Sequence, residues 1–360
     1  MEEEMYTNEF LAAKRLSGDD PADQFVEHVF SNSASKAQLQ QWMHSPARPG
    51  SLAEMFPGVA MIQEAAALPA WSDAYLMEQG AAFFARHSEM IMNLLGLLSL
   101  PYCYTAANGA MVLHLSNKIR NHTTQRLFDT AIFVWQVMSP DAFVPTGTGF
   151  EEILKIRIIH ATVRYYTQLS GKWDYSWGLP VNQEDMAGTN LSFSFIVIRG
   201  LRLLGFKVSA EEQAAFMHIW AVIGYLSGLH QDLIPENATQ AEQLDTMIKR
   251  RQFRMSEHGQ ELTKSLIDHI LKVNNSAASA GDIIGLMRYL LGEELSGMLN
   301  IGVPRLRRYK LFLLRATHYV KSFRSIGDYR KEYTLGYAKF KSQTASFHTS
   351  NHLLAVHPEP

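Results

Sequence analysis

The sequence has one cysteine, Cys103, in 360 residues. A single thiol allows no intrachain disulfide framework and no thiolate cluster for zinc or an iron–sulfur centre, which fits a reducing compartment. A dominant charge sign is also missing: 33 Lys and Arg stand against 35 Asp and Glu, so the global field favours neither nucleic acid nor an acidic partner. Alternating runs of strand type are scarce. No repeat of fixed period and no low-complexity segment occurs. Phosphate-cradling glycine loops, nucleophile elbows and His-Glu-x-x-His zinc helices are absent, which sets those chemistries aside. The opening MEEEMYTNEF is acidic and has no apolar core, unlike a secretory or twin-arginine signal, so a cytoplasmic location is expected.

Uninterrupted apolar runs are short. From Met90 to Asn117 there is no Asp, Glu, Lys or Arg, but Asn93, Pro101, Asn108 and Gly109 cut the stretch into pieces shorter than the ~20 residues of a spanning helix. Two buried core helices joined by a turn are expected there. What the chain does have is helical periodicity. Apolar residues recur at spacings of three and four near 72–98, 124–138, 150–169, 185–204, 210–228, 246–272, 282–300 and 305–324. The fold class is therefore all-α: a single large helical bundle over 71–325, with an N-terminal helical arm at 1–70 and a polar C-terminal arm at 326–360 laid on the body or on a partner subunit. Thr148 with Glu151 reads as a capping box, Gly171 ends that helix, Asn182 caps the next with Glu184 and Asp185 in its first turn, and Gly205 closes it.

Charge is uneven locally. From Arg305 to Lys341, 11 Lys or Arg face only Asp328 and Glu332. This is a solvated helix face with a polar tail, or a surface for an anionic membrane or for cofactor carboxylates.

The segment KIRIIHATVRYY, residues 155–166, places Arg157, His160 and Arg164 within roughly 60° of one another on an otherwise apolar helix. Two buried guanidiniums need anions, and no carboxylate lies three or four residues away on that stripe. The partner comes from another helix or from a bound molecule. A haem would answer both demands, its propionates pairing with the arginines and His160 ligating iron. Arginines snorkelling at a helix end beside a satisfied core histidine are the alternative. His218 is the rival ligand. With His230 it flanks a helix whose Gly224 and Gly228 serve close packing or lie against a flat macrocycle. His114 and His122 read as surface residues. Glu184 and Asp185 diverge by about 100° and do not share a face, so Asp185 reads as a structural group of the NQED turn. The methionines and aromatics are core filling or the lining of an apolar pocket.

KIRIIHATVRYY followed by WGLPVNQEDMAGTNLSFSFIVIRGLRLLG at 177–205 resembles the signature of the family of latex-clearing rubber oxygenases and the membrane-bound oxygenase of mycophenolic acid biosynthesis. Matching positions are Arg157, His160, Arg164, Gly178, Pro180, Asn182, Gln183, Asp185 and Thr189. LPYCYTAANGAMVL, RLFDT at 126–130, WAVIGYLSGLHQDLIP at 220–235 and LMRYLLGEELSGMLNIGVP at 286–304 extend the likeness over about residues 75–320. The resemblance implies an all-α bundle enclosing haem b, with His160 as the proximal metal ligand and Arg157 and Arg164 flanking it to hold the helix or the haem carboxylates. It places Arg126 and Thr130 on the distal side. Asp129 stands where the latex-clearing branch has a lysine, and AANGAMVL offers no counterpart to that branch's acidic group. With no export signal, polyisoprene is not the expected substrate. The expected function is a haem b-dependent oxygenase using O2 on an apolar, unsaturated isoprenoid or lipid-like substrate, with C=C cleavage to carbonyl products as one outcome. Partners would be that small molecule, a membrane surface and a second copy of the chain, with no nucleic acid. Alternatives are peroxide-driven oxidation with Asp129 handling protons, a non-enzymatic haem or gas-binding module, and a helical interaction protein in which Arg157 and Arg164 pair with carboxylates of other helices.

Overall fold

The structure, a computed structural model, describes residues 5–115, 118–274, 278–302, 306–321 and 327–344, the side chains of 118–124, 308, 320 and 321 excepted. Its helices are α1 (Asn8–Arg15), α2 (Asp20–Phe30), α3 (Ser33–His44), α4 (Ser51–Met55), α5 (Ala60–Glu64) and α6 (Ala74–Leu94). Then come α7 (Leu100–Tyr104), α8 (Ala107–Leu115), α9 (Lys118–Val137), α10 (Gly149–Leu169), α11 (Gln183–Phe193) and α12 (Phe195–Leu203). The last six are α13 (Ala210–Leu226), α14 (Ala238–Gln252), α15 (Glu257–Val273), α16 (Ala280–Met298), α17 (Arg308–Lys321) and α18 (Tyr329–Thr344). Among the described residues there is no strand, and a lone bridge joins Ala106 to Phe253.

The central pair is α6 against α13. Gly80 makes their close approach feasible, since a Cβ there would sit 2.6 Å from the Ala215 carbonyl oxygen. Phe83 then meets Phe216 with ring centroids 5.2 Å apart. Leu94 and Leu98 continue this core onto α12, where Gly200 leaves room for their methyls. The uncharged stretch runs from α6 through a π-helical turn at Leu95–Ser99 into α7, which Pro101 opens, and then α8. No helix among the described residues is long and apolar enough to cross a membrane.

The N-terminal helices and α18 pack onto this body. Phe25, Val26, Val29, Leu39, Trp42 and Ile62 form a second core with Leu154, Ile158 and Ala161 of α10. Each large aliphatic buried there contributes about 1.5–3 kcal/mol. At the other end α18 lies along α6, where Tyr333 donates to the Trp135 carbonyl at 2.5 Å and Tyr337 stacks on the Trp135 ring.

Local expectations are met unevenly. Asn182 accepts from the Asp185 N–H as an N-cap should, and Gly171 and Gly205 take positive φ just past their helices. Thr148 does not build the expected capping box: it sits at ψ 0° and makes no side-chain cap bond. The expected helix 246–272 is two, because Arg254 leaves the helical path to donate its N–H to the Thr105 carbonyl. The run 185–204 is likewise broken at Ser194 (φ −111°, ψ −86°).

Candidate cofactor pocket

The arginine stripe of α10 faces the N-terminal helices. Arg157 donates through Nε and Nη2 to the two carboxylate oxygens of Asp19 at 2.6 and 2.8 Å. Arg164 donates from Nε to Asp23 at 2.7 and 2.9 Å and from Nη1 to the Val181 carbonyl at 3.0 Å. Asp19 is the N-cap of α2 and Asp23 lies one turn on, so both carboxylates share a face. Each guanidinium has a carboxylate partner and the pairs clamp α2 to α10, while Nη2 of Arg164 is buried without a hydrogen bond. Burial pushes the Asp23 carboxyl up, with Arg164 opposing the shift.

The Gly-Pro-Asn-Gln-Asp motif belongs to the same clamp. Gln183 donates to the Gly18 and Gly228 carbonyls and accepts from the His230 N–H. Gly228, at φ +90°, brings its backbone against the Asp19–Arg157 pair, where a Cβ would lie 2.0 Å from Asp19 Oδ2. Gly224 passes Asn190 just as closely, so helix packing accounts for both glycines and the macrocycle reading of them lapses. Glu184 is fully buried and accepts from Arg15, Arg251 and Gln252. Asp185 shares Arg15 with it at 2.9 Å and accepts from Asn182. Both acids are structural, as read for Asp185. Their Cα–Cβ directions diverge, yet one long guanidinium reaches the two carboxylates.

His160 lies on the same helix but in a different environment. Its Nδ1 is buried with no hydrogen-bond partner, and the ring makes no hydrogen bond among the described residues. Desolvation, with the Arg164 and Arg126 charges adding to it, lowers its pKa to about 4, so the imidazole is neutral at physiological pH. The ring is deep in the molecule yet keeps some accessible surface. The charge of Arg126 on α9 acts on His160 and also on Cys103 and Tyr104 of α7. The Arg126 guanidinium has no hydrogen-bond or ion-pair partner among the described residues. Burial raises the Cys103 thiol, which lies within hydrogen-bonding reach of Ser192 and Thr189 on α11. Residues of four helices, α7, α9, α10 and α11, thus come together near His160, a neutral imidazole, and Arg126, a cation with no partner among the described residues.

Thr130 follows Arg126 by one turn and donates its hydroxyl proton to the Arg126 carbonyl at 3.0 Å, which leaves its lone pairs to accept. Asp129 accepts from Gln125 Nε2 at 2.8 Å. The sequence left out the clamp partners Asp19, Asp23 and Arg15 and the pocket residues Cys103 and Tyr104. The one available signal for the clamp was an acid pair at a four-residue spacing behind a helix start.

The remaining candidates are structural. His218 is not a free ligand, because its Nε2 accepts from the Asp73 N–H at 2.9 Å and its ring packs edge-on to Trp71. His230 lies 3.2 Å from Lys14 Nζ, and His114 lies 3.4 Å from Glu261. The His122 side chain is outside the described residues. In the basic stretch Lys310, Arg330 and Lys339 pair with Asp282, Asp141 and Glu89, while Arg305 and Arg324 lie outside the described residues. Among the described residues no group of three or more His, Cys, Asp or Glu is arranged to hold a metal ion.

These features define a protein all-α among its described residues, with a buried neutral histidine near an arginine. The chain belongs to the family described as ER-bound oxygenase mpaB/B'/Rubber oxygenase, catalytic domain, which residues 85–320 match. It is 26% identical over 298 residues to the rubber oxygenase of Streptomyces sp. (strain K30), an alignment covering 79% of this chain and 70% of that one. The fold is that of Latex Clearing Protein LCP in the closed state, with a TM-score of 0.71 over 90% of each chain at 20% identity.

Proposed function

We propose that the chain is a haem b-dependent oxygenase that uses O2 on an apolar, unsaturated substrate of isoprenoid or lipid type, with the pocket between α7, α9, α10 and α11 holding the haem. The observation that carries this reading is His160: a buried neutral imidazole with no hydrogen bond, within range of the charge of Arg126, which has no partner among the described residues. Burying such a polar ring without a partner costs free energy unless something binds there. The donor set fits haem. One neutral nitrogen suits iron, and one unpaired cation suits a carboxylate or another developing negative charge. Family membership supports oxygenase chemistry of this kind.

When bound, haem supplies the redox-active iron that O2 chemistry requires. The chain's own residues do the rest. His160 offers its nitrogen in the neutral form down to about pH 4, so protons do not compete for it near neutrality. Arg126, whose charge acts on His160, offers N–H donors that would stabilise negative charge developing on oxygen. Thr130, its proton committed to the Arg126 carbonyl, holds that turn of α9 and accepts from a donor in the pocket. Asp129, one residue away, is the acid or base nearest this group in sequence. If the double bond is cleaved, both atoms of O2 end in two carbonyl products, and no other oxidant is needed.

The test is a product assay with heavy-isotope O2 and an isoprenoid or unsaturated fatty substrate, on the haem-loaded wild type and His160→Ala. The reading expects two carbonyl fragments, each carrying one labelled oxygen, from the wild type and none from the variant. Turnover that depends on added peroxide would replace it with the peroxide reading. Full haem loading without turnover of any unsaturated substrate would leave a gas-binding module.

A further inference from the structure

Helix α17 carries apolar side chains on two faces, and the described residues cover only one of them. On the inner face His318 is buried, stacks on Phe206 with centroids 4.4 Å apart and meets the Leu204 carbonyl at 3.1 Å. Gly205, at φ +91°, lets this turn sit directly on the Arg315 backbone, where a Cβ would lie 2.7 Å from the Arg315 carbonyl oxygen. That contact fixes the helix rotation. At 100° per residue, Tyr309, Phe312, Leu313, Ala316 and Tyr319 then fall within an arc of roughly 120° on the opposite side. These are not incidental surface residues: Phe312 is 70% exposed, Leu313 58%, Tyr309 55% and Tyr319 53%. A continuous aromatic and aliphatic stripe of this kind marks a contact surface.

The charge around the stripe selects its occupant. Residues 305–321 contain six Lys or Arg and no Asp or Glu. Lys310 and Arg315 lie at roughly 100–120° on either side of Tyr309, bordering the stripe on both edges. Arg307 and Arg315 are exposed, while Lys310 keeps a partly exposed tie to Asp282 at 2.7 Å. An apolar stripe with a tyrosine near each end and cations along both margins matches the layering of an anionic bilayer surface: acyl chains below, the interface at the level of the tyrosines, phosphates above.

The geometry points to α17 as a membrane-docking helix that lies in the plane of an anionic lipid surface, with Phe312 and Leu313 inserted and Lys310 and Arg315 against the headgroups. The inference is independent of the haem reading, because binding needs neither cofactor nor turnover.

The experiment is flotation of the full chain, as purified, with phosphatidylcholine vesicles containing about one-third phosphatidylserine, compared with pure phosphatidylcholine. The wild type should float with the anionic vesicles at low salt and be released as salt rises. Phe312→Ser with Leu313→Ser should lower partition by at least about tenfold. Lys310→Gln with Arg315→Gln should lower it by about tenfold on anionic vesicles and hardly change it on neutral ones. Unchanged far-ultraviolet circular dichroism would show that these surface variants are folded. Wild type that stays with neither vesicle, or variants that float as well as wild type, would overturn the inference. So would a vesicle-free dimer that the same substitutions dissociate, which would make a second copy the occupant. Flotation that appears only after residues 345–360 are removed would assign the stripe to the chain's own tail.

Discussion

The clamp between Arg157 and Asp19 gives a quantitative test of what the arginine stripe is for. The two side chains are 10% and 3% exposed, and their bidentate bonds lie at 2.6 and 2.8 Å. Arg157→Gln removes the cation and leaves the Asp19 carboxylate buried against the Gly228 backbone, a loss of about 3–5 kcal/mol. For 360 residues unfolding together, an unfolding entropy of about 2 cal/mol/K per residue converts this to a fall of roughly 4–7 °C in Tm. Asp19→Asn combined with Arg157→Gln should recover more than half of that loss, because no buried charge is left and asparagine still caps α2. Differential scanning calorimetry of the wild type, both single variants and the double variant completes the cycle. The reasoning fails if Arg157→Gln leaves Tm unchanged while weakening haem retention, since the guanidinium would then serve the cofactor and not α2.

Gly228→Ala should destabilise by at least about 2 kcal/mol in urea denaturation, because φ +90° and the 2.0 Å approach to Asp19 both reject a methyl. Tyr102→Phe removes the buried 2.5 Å bond to Asp245 and should cost about 1.5–3 kcal/mol, read from the urea midpoint; a loss below about half a kcal/mol would mean that Asp245 is satisfied without it. His87 and His160 are both held near pKa 4 by burial, below the ordinary 6.5, so the fold favours their neutral rings. Their contribution is therefore full above about pH 6.5 and lost as the pH falls toward 4. His87→Leu should shrink the drop in Tm between about pH 7 and pH 4.5 relative to wild type, and an equal drop would refute the assignment.

The sequence made the helical class legible because 3.6-residue periodicity survives wherever one helix face is buried, as in α6, α10 and α13. It also put His160 on α10 and made Asn182 a cap, since both facts are local. The partners of Arg157 and Arg164 were not legible: Asp19 and Asp23 are 138 and 141 residues away, and spacing along α10 carries no record of them. Helices α1 to α5 were passed over as an arm because none is longer than 12 residues, and they bury their apolar faces only jointly. The 246–272 run hid a break because its register stays apolar through Phe253 while the backbone leaves to pair with Thr105. Arg126 could be placed one turn from Thr130, but its approach to His160 depends on how α9 crosses α10. That crossing is a tertiary outcome.

The most direct test of the central claim is a haem titration followed by the Soret band on wild type, His160→Ala and His160→Gly, the last with and without added imidazole. The account predicts stoichiometric haem with a sharp band in wild type, a lost or displaced band in both variants, and restoration by imidazole in His160→Gly. A wild type that takes up no stoichiometric haem, or variants whose spectra match it, would contradict the claim that His160 is an iron ligand.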